Sequence, residues 1–221
     1  KGQNVNNFTL NGFNMGGTLS GTMHNIYENC TVTGSSARFL GAGGKAPNLI
    51  NTFKGTFTTD QENFYLGAGS QTISGNLTNN IDCEWIRSVG GTEKTCYIWG
   101  GSNSGKVGGT ITNNILPGAN LSLDVYTGGC NSGSAAGIVN NITGGTVNNF
   151  RASHGINNKT TLASVKSTIT GGTITRRVYG GCYNEVSAQG SWSSSYYVNG
   201  KIVLTLHGDA NFTQDYVDDD F

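Results

Sequence analysis

The chain has 221 residues, a formal net charge of zero, 12% charged residues and 35 glycines. This charge balance does not favour nucleic acids or anionic membranes as partners, and the lack of a strict three-residue glycine period excludes collagen. No apolar stretch approaches the length of a membrane-spanning helix. We therefore expect one soluble all-β domain over residues 1–221, which is a segment of a longer protein.

A short phrase recurs along the chain: a Gly-Thr-aliphatic step, several polar residues, and an aromatic or aliphatic pair that runs into Gly-Gly. Copies of its first half lie at Gly17, Gly34, Gly55, Gly75, Gly109, Gly145, Gly172 and, in divergent form, Gly208. Each copy can bury its apolar side only against its neighbours. The repeat therefore predicts a parallel β-helix, or β-solenoid, of about eight irregular rungs. We expect a right-handed coil.

The residues within each copy suggest how a rung is built. Thr-Ile-Thr, as at 110–112 and 168–170, alternates so that Ile points into the core and Thr faces water. Asn pairs such as Asn79-Asn80 and Asn113-Asn114 are predicted to mark corners with the Gly-Gly steps, because both residue types adopt left-handed backbone geometry. Residues 196–206 alternate like a closing strand, and residues 210–221 are predicted to form an exit or capping tail.

The five cysteines cannot all pair within the chain. Cys83 and Cys96 flank an insertion and are candidates for a disulfide, with buried thiols as the alternative. Cys130 and Cys182 follow Gly-Gly steps in different rungs, and we interpret them as buried thiols. Neither Cys-x-x-Cys nor His-x-x-x-His spacing occurs, so no metal site and no cofactor is predicted.

An enzyme on this coil would need catalytic carboxylates, because glycoside hydrolysis uses two that flank the bond. At matched positions of the rungs the sequence has Thr, Asn, Ser and Gly, while most acidic residues fall in the variable loops. Arg151 and His154 come nearest to the basic residues of a polysaccharide lyase, but no acidic cluster accompanies them. The sequence therefore favours a protein that is not an enzyme.

The segment Ile-Thr-Gly-Gly-Thr-Ile followed by Val-Tyr-Gly-Gly, at 169–181, resembles the repeats of large secreted or surface-anchored β-solenoid proteins of gut and rumen bacteria. It is also similar to β-helical carbohydrate-binding modules attached to plant-cell-wall enzymes. The resemblance implies an extracellular protein of bacterial origin whose coil faces glycans.

Aromatic rings before Gly-Gly would stack on the apolar faces of sugars, while amide, hydroxyl and guanidinium groups bind their hydroxyls. The predicted ligand-binding residues are Trp99, Tyr126, Tyr179, Tyr97, Tyr65, Arg151, His154 and Tyr183. Trp99 is predicted to point outward because Ile98 is the natural core partner. The zero net charge favours a neutral glycan, such as xylan or a β-glucan.

These observations predict a monomeric, non-catalytic carbohydrate-binding module, secreted as part of a larger bacterial protein, that binds a plant-type polysaccharide. Three alternatives stay open. The coil would serve as an adhesin stalk if the repeat only supplies length. It would be a polysaccharide lyase or glycoside hydrolase if acids converge in space, or an ice-binding protein if outward Thr-x-Thr pairs form a flat array.

Overall fold

A computed structural model describes residues 4–6, 9–11, 21–34, 47–153, 162–181 and 198–213. None of these ranges is helical, so they contain no helix that is long and apolar enough to cross a bilayer. The strands are β1 (Asn4–Asn6), β2 (Thr9–Asn11), β3 (Thr22–Thr33), β4 (Asn48–Thr59), β5 (Asn63–Tyr65), β6 (Leu77–Val89), β7 (Thr92–Lys94), β8 (Tyr97–Trp99), β9 (Lys106–Ile115), β10 (Asn120–Thr127), β11 (Ser134–Arg151), β12 (Leu162–Tyr179), β13 (Val198–Leu206) and β14 (Ala210–Phe212).

The strands stack in parallel into a coil, which confirms the predicted β-solenoid. The long strands β3, β4, β6, β9, β11, β12 and β13 follow one another in hydrogen-bonded order. The coil has about five turns, slightly fewer than the eight predicted rungs.

Each complete turn contains three straight segments that stack on the equivalent segments of neighbouring turns. In one turn these are residues 77–81, residues 83–87 and the short strand β8. We call the three stacked surfaces the first, second and third faces. The third face consists of β5, β8 and residues 125–127, 149–151 and 177–179 at the ends of β10, β11 and β12.

Aliphatic side chains fill the interior in vertical columns. On the first face Ile81, Ile115, Ile142 and Ile169 are in register on successive turns, and each is at most 1% exposed. The flanking threonines of the Thr-Ile-Thr segments are half-buried. The predicted alternation is therefore confirmed, and burial of these columns on folding is the main stabilising contribution.

A cluster of aromatic rings fills the interior of the earlier turns. Phe53, Phe57, Phe64 and Trp85 pack with ring centroids 4.4 to 5.3 Å apart. Trp85 is only 4% exposed and belongs to the core of the coil. The insertion itself begins after Trp85, where β6 and β7 form an antiparallel hairpin. Its turn is Gly90-Gly91, with φ of 61° and 77°, the geometry of a tight hairpin.

The pairs Asn79-Asn80 and Asn113-Asn114 do not mark corners, contrary to the prediction. Asn51, Asn79, Asn113 and Asn140 lie in the middle of strands with their side chains buried in the coil. Each donates through Nδ2 to the corresponding side chain of the next turn at 2.8 to 3.0 Å, ending on the Ser167 hydroxyl. We call this row the asparagine ladder. It satisfies amide groups inside the coil that would otherwise be costly to bury.

The second residue of each pair belongs to another row, on the outside of the coil. Asn114 donates to Asn80 at 2.8 Å, and Asn141 donates to Asn114 at 2.9 Å. These side chains are half-buried, and water competes for their hydrogen bonds. The two asparagines of a pair therefore differ in role because alternation turns one inward and the next outward.

The corner between the first and second faces is made instead by residues in the left-handed region. Gly55 and Gly172 have φ of 66° and 87° there, and each opens a Gly-Thr step of the repeated phrase. Asn29, with φ of 51°, occupies the neighbouring corner, and its Oδ1 accepts a hydrogen bond from the Thr56 N–H at 3.1 Å. Among the described residues, Asn29 is the one asparagine with left-handed geometry, and the members of the pairs do not adopt it.

Cys83 and Cys96 are free thiols in the structure, as are Cys30 and Cys130. All four are buried. The proposed Cys83–Cys96 disulfide is thus not formed, and the alternative of buried thiols holds for these four. Cys182 lies outside the described residues.

We expect Asn113→Ala to lower the free energy of unfolding by about 3 kcal/mol. Asn113 donates to the Gly128 carbonyl and Asn140, and accepts from Asn79 and the Tyr126 hydroxyl, all at 2.8 Å. The substitution leaves four buried polar groups without this partner. Urea unfolding, followed by circular dichroism, measures the loss. The matched control is Asn114→Ala on the outer row, with an expected loss under about 1 kcal/mol. Equal losses in the two variants would show that the buried ladder contributes no more to the free energy of unfolding than the outer row does.

Candidate functional site

The third face has an inner and an outer side. In each turn the middle residue of the third-face segment points into the coil. Phe64, Ile98, Tyr126 and Phe150 are in register and at most 1% exposed, so they form the inner column. Tyr126 is wholly buried, and the prediction that it faces a ligand is wrong. Its hydroxyl donates to Oδ1 of Asn113 at 2.8 Å, which joins the ring to the asparagine ladder.

Residues on either side of the inner column belong to the outer side by alternation. One outer column consists of Asn63, Tyr97, Val125, Asn149 and Arg177. The other consists of Tyr65, Trp99, Thr127, Arg151 and Tyr179. Six of the eight predicted ligand residues thus lie on the third face, five of them in its outer columns.

Trp99 and Tyr65 stack on each other at the start of the second outer column. Their ring centroids are 6.1 Å apart and their planes are inclined by 15°. Trp99 donates through Nε1 to Oδ1 of Asn63 at 3.2 Å, and Asn131 donates to the Tyr65 hydroxyl at 3.4 Å. Trp99 points to the outer side of the strand and Ile98 to the core, as predicted. However, Trp99 is only 7% exposed and Tyr65 only 5%. These two rings therefore offer little surface to a ligand.

A groove of about 290 Å³ opens on the later turns of the third face. Its walls include two aromatic rings, three guanidinium groups and two amides. The lining residues are Tyr97, Tyr179, Arg151, Arg176, Arg177, Asn148, Asn149, Thr95 and Val125. Tyr97, Arg151 and Tyr179 are half-buried and Arg176 is exposed, so part of each of these residues is open to solvent.

The groove runs along the coil axis. Tyr97, Val125, Asn149 and Arg177 occupy one column on four successive turns. At a strand spacing of about 4.8 Å, the column is about 14 Å long. Tyr97 is at one end, and Arg177 is at the other beside Tyr179, whose hydroxyl accepts a hydrogen bond from Nη1 of Arg177 at 3.1 Å. The arrangement suits an elongated ligand that lies across the strands.

The structure brings together three of the predicted residues, Tyr97, Arg151 and Tyr179, in this groove. His154 and Tyr183 lie outside the described residues. The sequence reasoning missed Arg176, Arg177 and Asn149. The signal for Arg176 and Arg177 was the Arg-Arg pair directly before Val-Tyr, because no other copy of the phrase has two basic residues at this place.

Asp124 is a buried acid next to the groove residue Val125, and it is 1% exposed. Its Oδ1 accepts a hydrogen bond from the Cys96 N–H at 2.9 Å, and its Oδ2 has no partner among the described residues. Burial raises the pKa of Asp124 to about 7, against the opposing effects of the Cys96 N–H and the positive charge of Arg87. Near neutral pH this carboxyl group is therefore close to half protonated.

The thiols near Asp124 are held in their protonated form. Burial raises the thiol pKa of Cys96, and the charge of Asp124 adds to the effect. The pKa of Cys83 is also raised, first by burial and then by Asp82 and Asp124. Thiols in this state are poor nucleophiles and poor metal ligands. Nor do three His, Cys, Asp or Glu side chains group as a metal site anywhere in the described ranges.

No protein-family model, curated protein or solved structure matches this chain. The structure confirms one part of the resemblance carried by residues 169–181, which is the β-solenoid architecture.

We expect Asp124→Asn to change how stability depends on pH. The unfolded-state pKa of Asp is about 3.9, so between about pH 4 and pH 7 the unfolded chain releases a proton that the folded chain keeps. The contribution of Asp124 to the stability of the wild type therefore falls with rising pH in this window, by about 1.4 kcal/mol per pH unit, and this loss levels off above pH 7. The variant keeps the acceptor for the Cys96 N–H and lacks the loss.

Urea unfolding midpoints at several pH values from about 4.5 to about 8 test this expectation. The advantage of Asp124→Asn over the wild type should grow from the acidic to the neutral end of the range. Asp209→Asn, at an exposed aspartate of the last turn, is the matched control. A stability difference between Asp124→Asn and wild type that does not vary with pH would contradict the raised pKa.

Proposed function

We propose that this protein is a non-catalytic module that binds a polysaccharide in the groove of the third face. The observation that carries the proposal is that two tyrosine rings, three arginines and two asparagines line one elongated groove. A sugar presents an apolar ring face and a rim of hydroxyl groups. Aromatic rings bind the face, and amide and guanidinium groups bind the rim.

The direction of the groove supports a chain-like ligand over a single small sugar. Four turns contribute to its walls at a regular spacing, and its length of about 14 Å accommodates several consecutive sugar units. Tyr97 and Tyr179 stand near opposite ends, so each would contact a different unit of the bound chain. A ligand held at two ends gains affinity from each contact while its orientation is fixed.

The chemistry of the walls favours binding over hydrolysis. Hydrolysis of a glycosidic bond takes two carboxyl groups about 5 to 10 Å apart on either side of the bond. Among the described residues that line the groove, none is Asp or Glu. The nearby Asp124 is buried, with its Oδ1 bound to the Cys96 backbone. In the role proposed here, the module would act outside the cell as part of a larger bacterial protein, as the sequence resemblance implies.

We expect Tyr97→Ala and Tyr179→Ala each to weaken polysaccharide binding about five- to tenfold, since each removes one stacking surface. Native gel electrophoresis through dissolved polysaccharides measures the affinity as retarded migration. Phe212→Ala is the matched control, because Phe212 is a 41% exposed aromatic side chain outside the groove. Migration that no polysaccharide retards would overturn the proposal and favour the stalk. Retardation that survives both tyrosine variants would place the binding surface elsewhere.

A further inference from the structure

Positive charge is concentrated in the groove of the third face. The whole chain has 13 basic and 13 acidic residues, which cancel. The described lining of the groove contains Arg151, Arg176 and Arg177 but no acidic residue, so its walls carry three positive charges and no negative one. At physiological ionic strength a charge acts over only about 8 Å. The local excess, and not the zero sum of the chain, therefore determines which ligand the groove attracts.

The three arginines come from two adjacent turns. Arg151 ends β11, and Arg176 and Arg177 lie near the end of β12. The register pairs Arg151 with Tyr179 and Asn149 with Arg177, so the basic positions alternate with tyrosine and asparagine across the same patch. Neighbouring strands are about 4.8 Å apart, which brings the three guanidinium groups within reach of one or two consecutive sugar units.

Guanidinium is the side-chain group that best matches an oxyanion. Its planar fork donates two parallel N–H bonds to a carboxylate or sulfate, and such charge-assisted bonds are about twice as strong as neutral ones. A groove that binds only sugar hydroxyl groups has no need for three such cations side by side, because like charges repel at this distance. An anionic ligand relieves that repulsion as well as forming the bonds.

We propose that the ligand of this groove is an acidic polysaccharide, whose carboxylate or sulfate groups bind Arg151, Arg176 and Arg177 while sugar rings contact Tyr97 and Tyr179. This inference rests on the proposed function, and it replaces the neutral glycan that the net charge suggested. Single-stranded nucleic acid also combines anionic groups with flat rings. It is disfavoured because proteins that bind it use long basic tracks, whereas this patch has three arginines on a chain without net charge.

Native gel electrophoresis and calorimetry with four polymers test the proposal: polygalacturonate for carboxylate, dextran sulfate for sulfate, unsubstituted xylan as the neutral glycan, and single-stranded DNA. We expect one or both acidic polysaccharides to bind at least about tenfold more tightly than xylan. The tighter of the two identifies the anionic group. Binding should weaken at about 1 M NaCl, where the screening length is about 3 Å.

Arg176→Gln and Arg151→Gln should each weaken binding of the acidic polymer about tenfold, and Arg176→Lys should restore part of the loss. Arg176 is exposed, so its replacement does not threaten folding. Lys166→Gln removes an exposed positive charge from the first face of the same turn and is the matched control, with no expected change.

The outcomes separate this inference from the proposed function. In one outcome xylan binds as tightly as the acidic polymers, the arginine variants bind like wild type, and Tyr97→Ala and Tyr179→Ala bind more weakly. That outcome would show that the groove binds polysaccharide and that the proposal of an acidic ligand is wrong. If DNA binds more tightly than either acidic polysaccharide, the acidic polysaccharide is likewise rejected. If no polysaccharide binds, both proposals fall together.

Discussion

A row of amide side chains runs through the interior of the coil, and each amide from Asn51 to Asn140 uses Nδ2 twice. One bond goes to the next turn, and the other goes across the interior to a backbone carbonyl. Those carbonyls belong to Leu66, Gly100, Gly128 and Ala152. Each directly follows the last residue of the third face in its turn. The asparagine ladder thus ties the first face to the end of the third face, and it fixes the strands that carry the groove.

Glycine occupies two of these four positions, Gly100 and Gly128, and at both of them the ladder amide of the next turn comes close to the backbone. A Cβ atom on Gly100 would lie 2.5 Å from Oδ1 of Asn113, and one on Gly128 would overlap Oδ1 of Asn140. The glycines leave room for the ladder amide to approach the backbone, which is a different requirement from the left-handed geometry of a turn. The ladder also ends consistently. Ser167 accepts its last bond, and Leu204, the next residue in register, is apolar and needs no partner from a further turn.

The architecture could be predicted from the sequence because alternation and repetition are local properties. Two misassignments have local causes as well. Asn is typical of turns, so a buried Asn in the middle of a strand is not expected from one sequence. Its partner is a backbone carbonyl 12 to 21 residues away in the chain. Tyr126 was misplaced for a simpler reason. Tyr126 is followed by Thr127 and then Gly128, whereas Trp99 directly precedes Gly100, and a shift of one residue exchanges the two sides of a strand.

The groove could be predicted only in part, because it depends on which outer residues stack across turns. Tyr97, Arg151 and Tyr179 were found through their chemistry, but the arginine cluster appears only when β11 and β12 are in register. The inner columns and the ladder are made of other residues, so the outer positions of the later turns can carry charge and aromatic rings. Net charge is a sum over all these positions and contains no information about their arrangement. In this coil, residues that are neighbours on adjacent turns are about 25 to 35 residues apart in the sequence, as Arg151 and Tyr179 are. The register of the strands therefore determines the local electrostatic field.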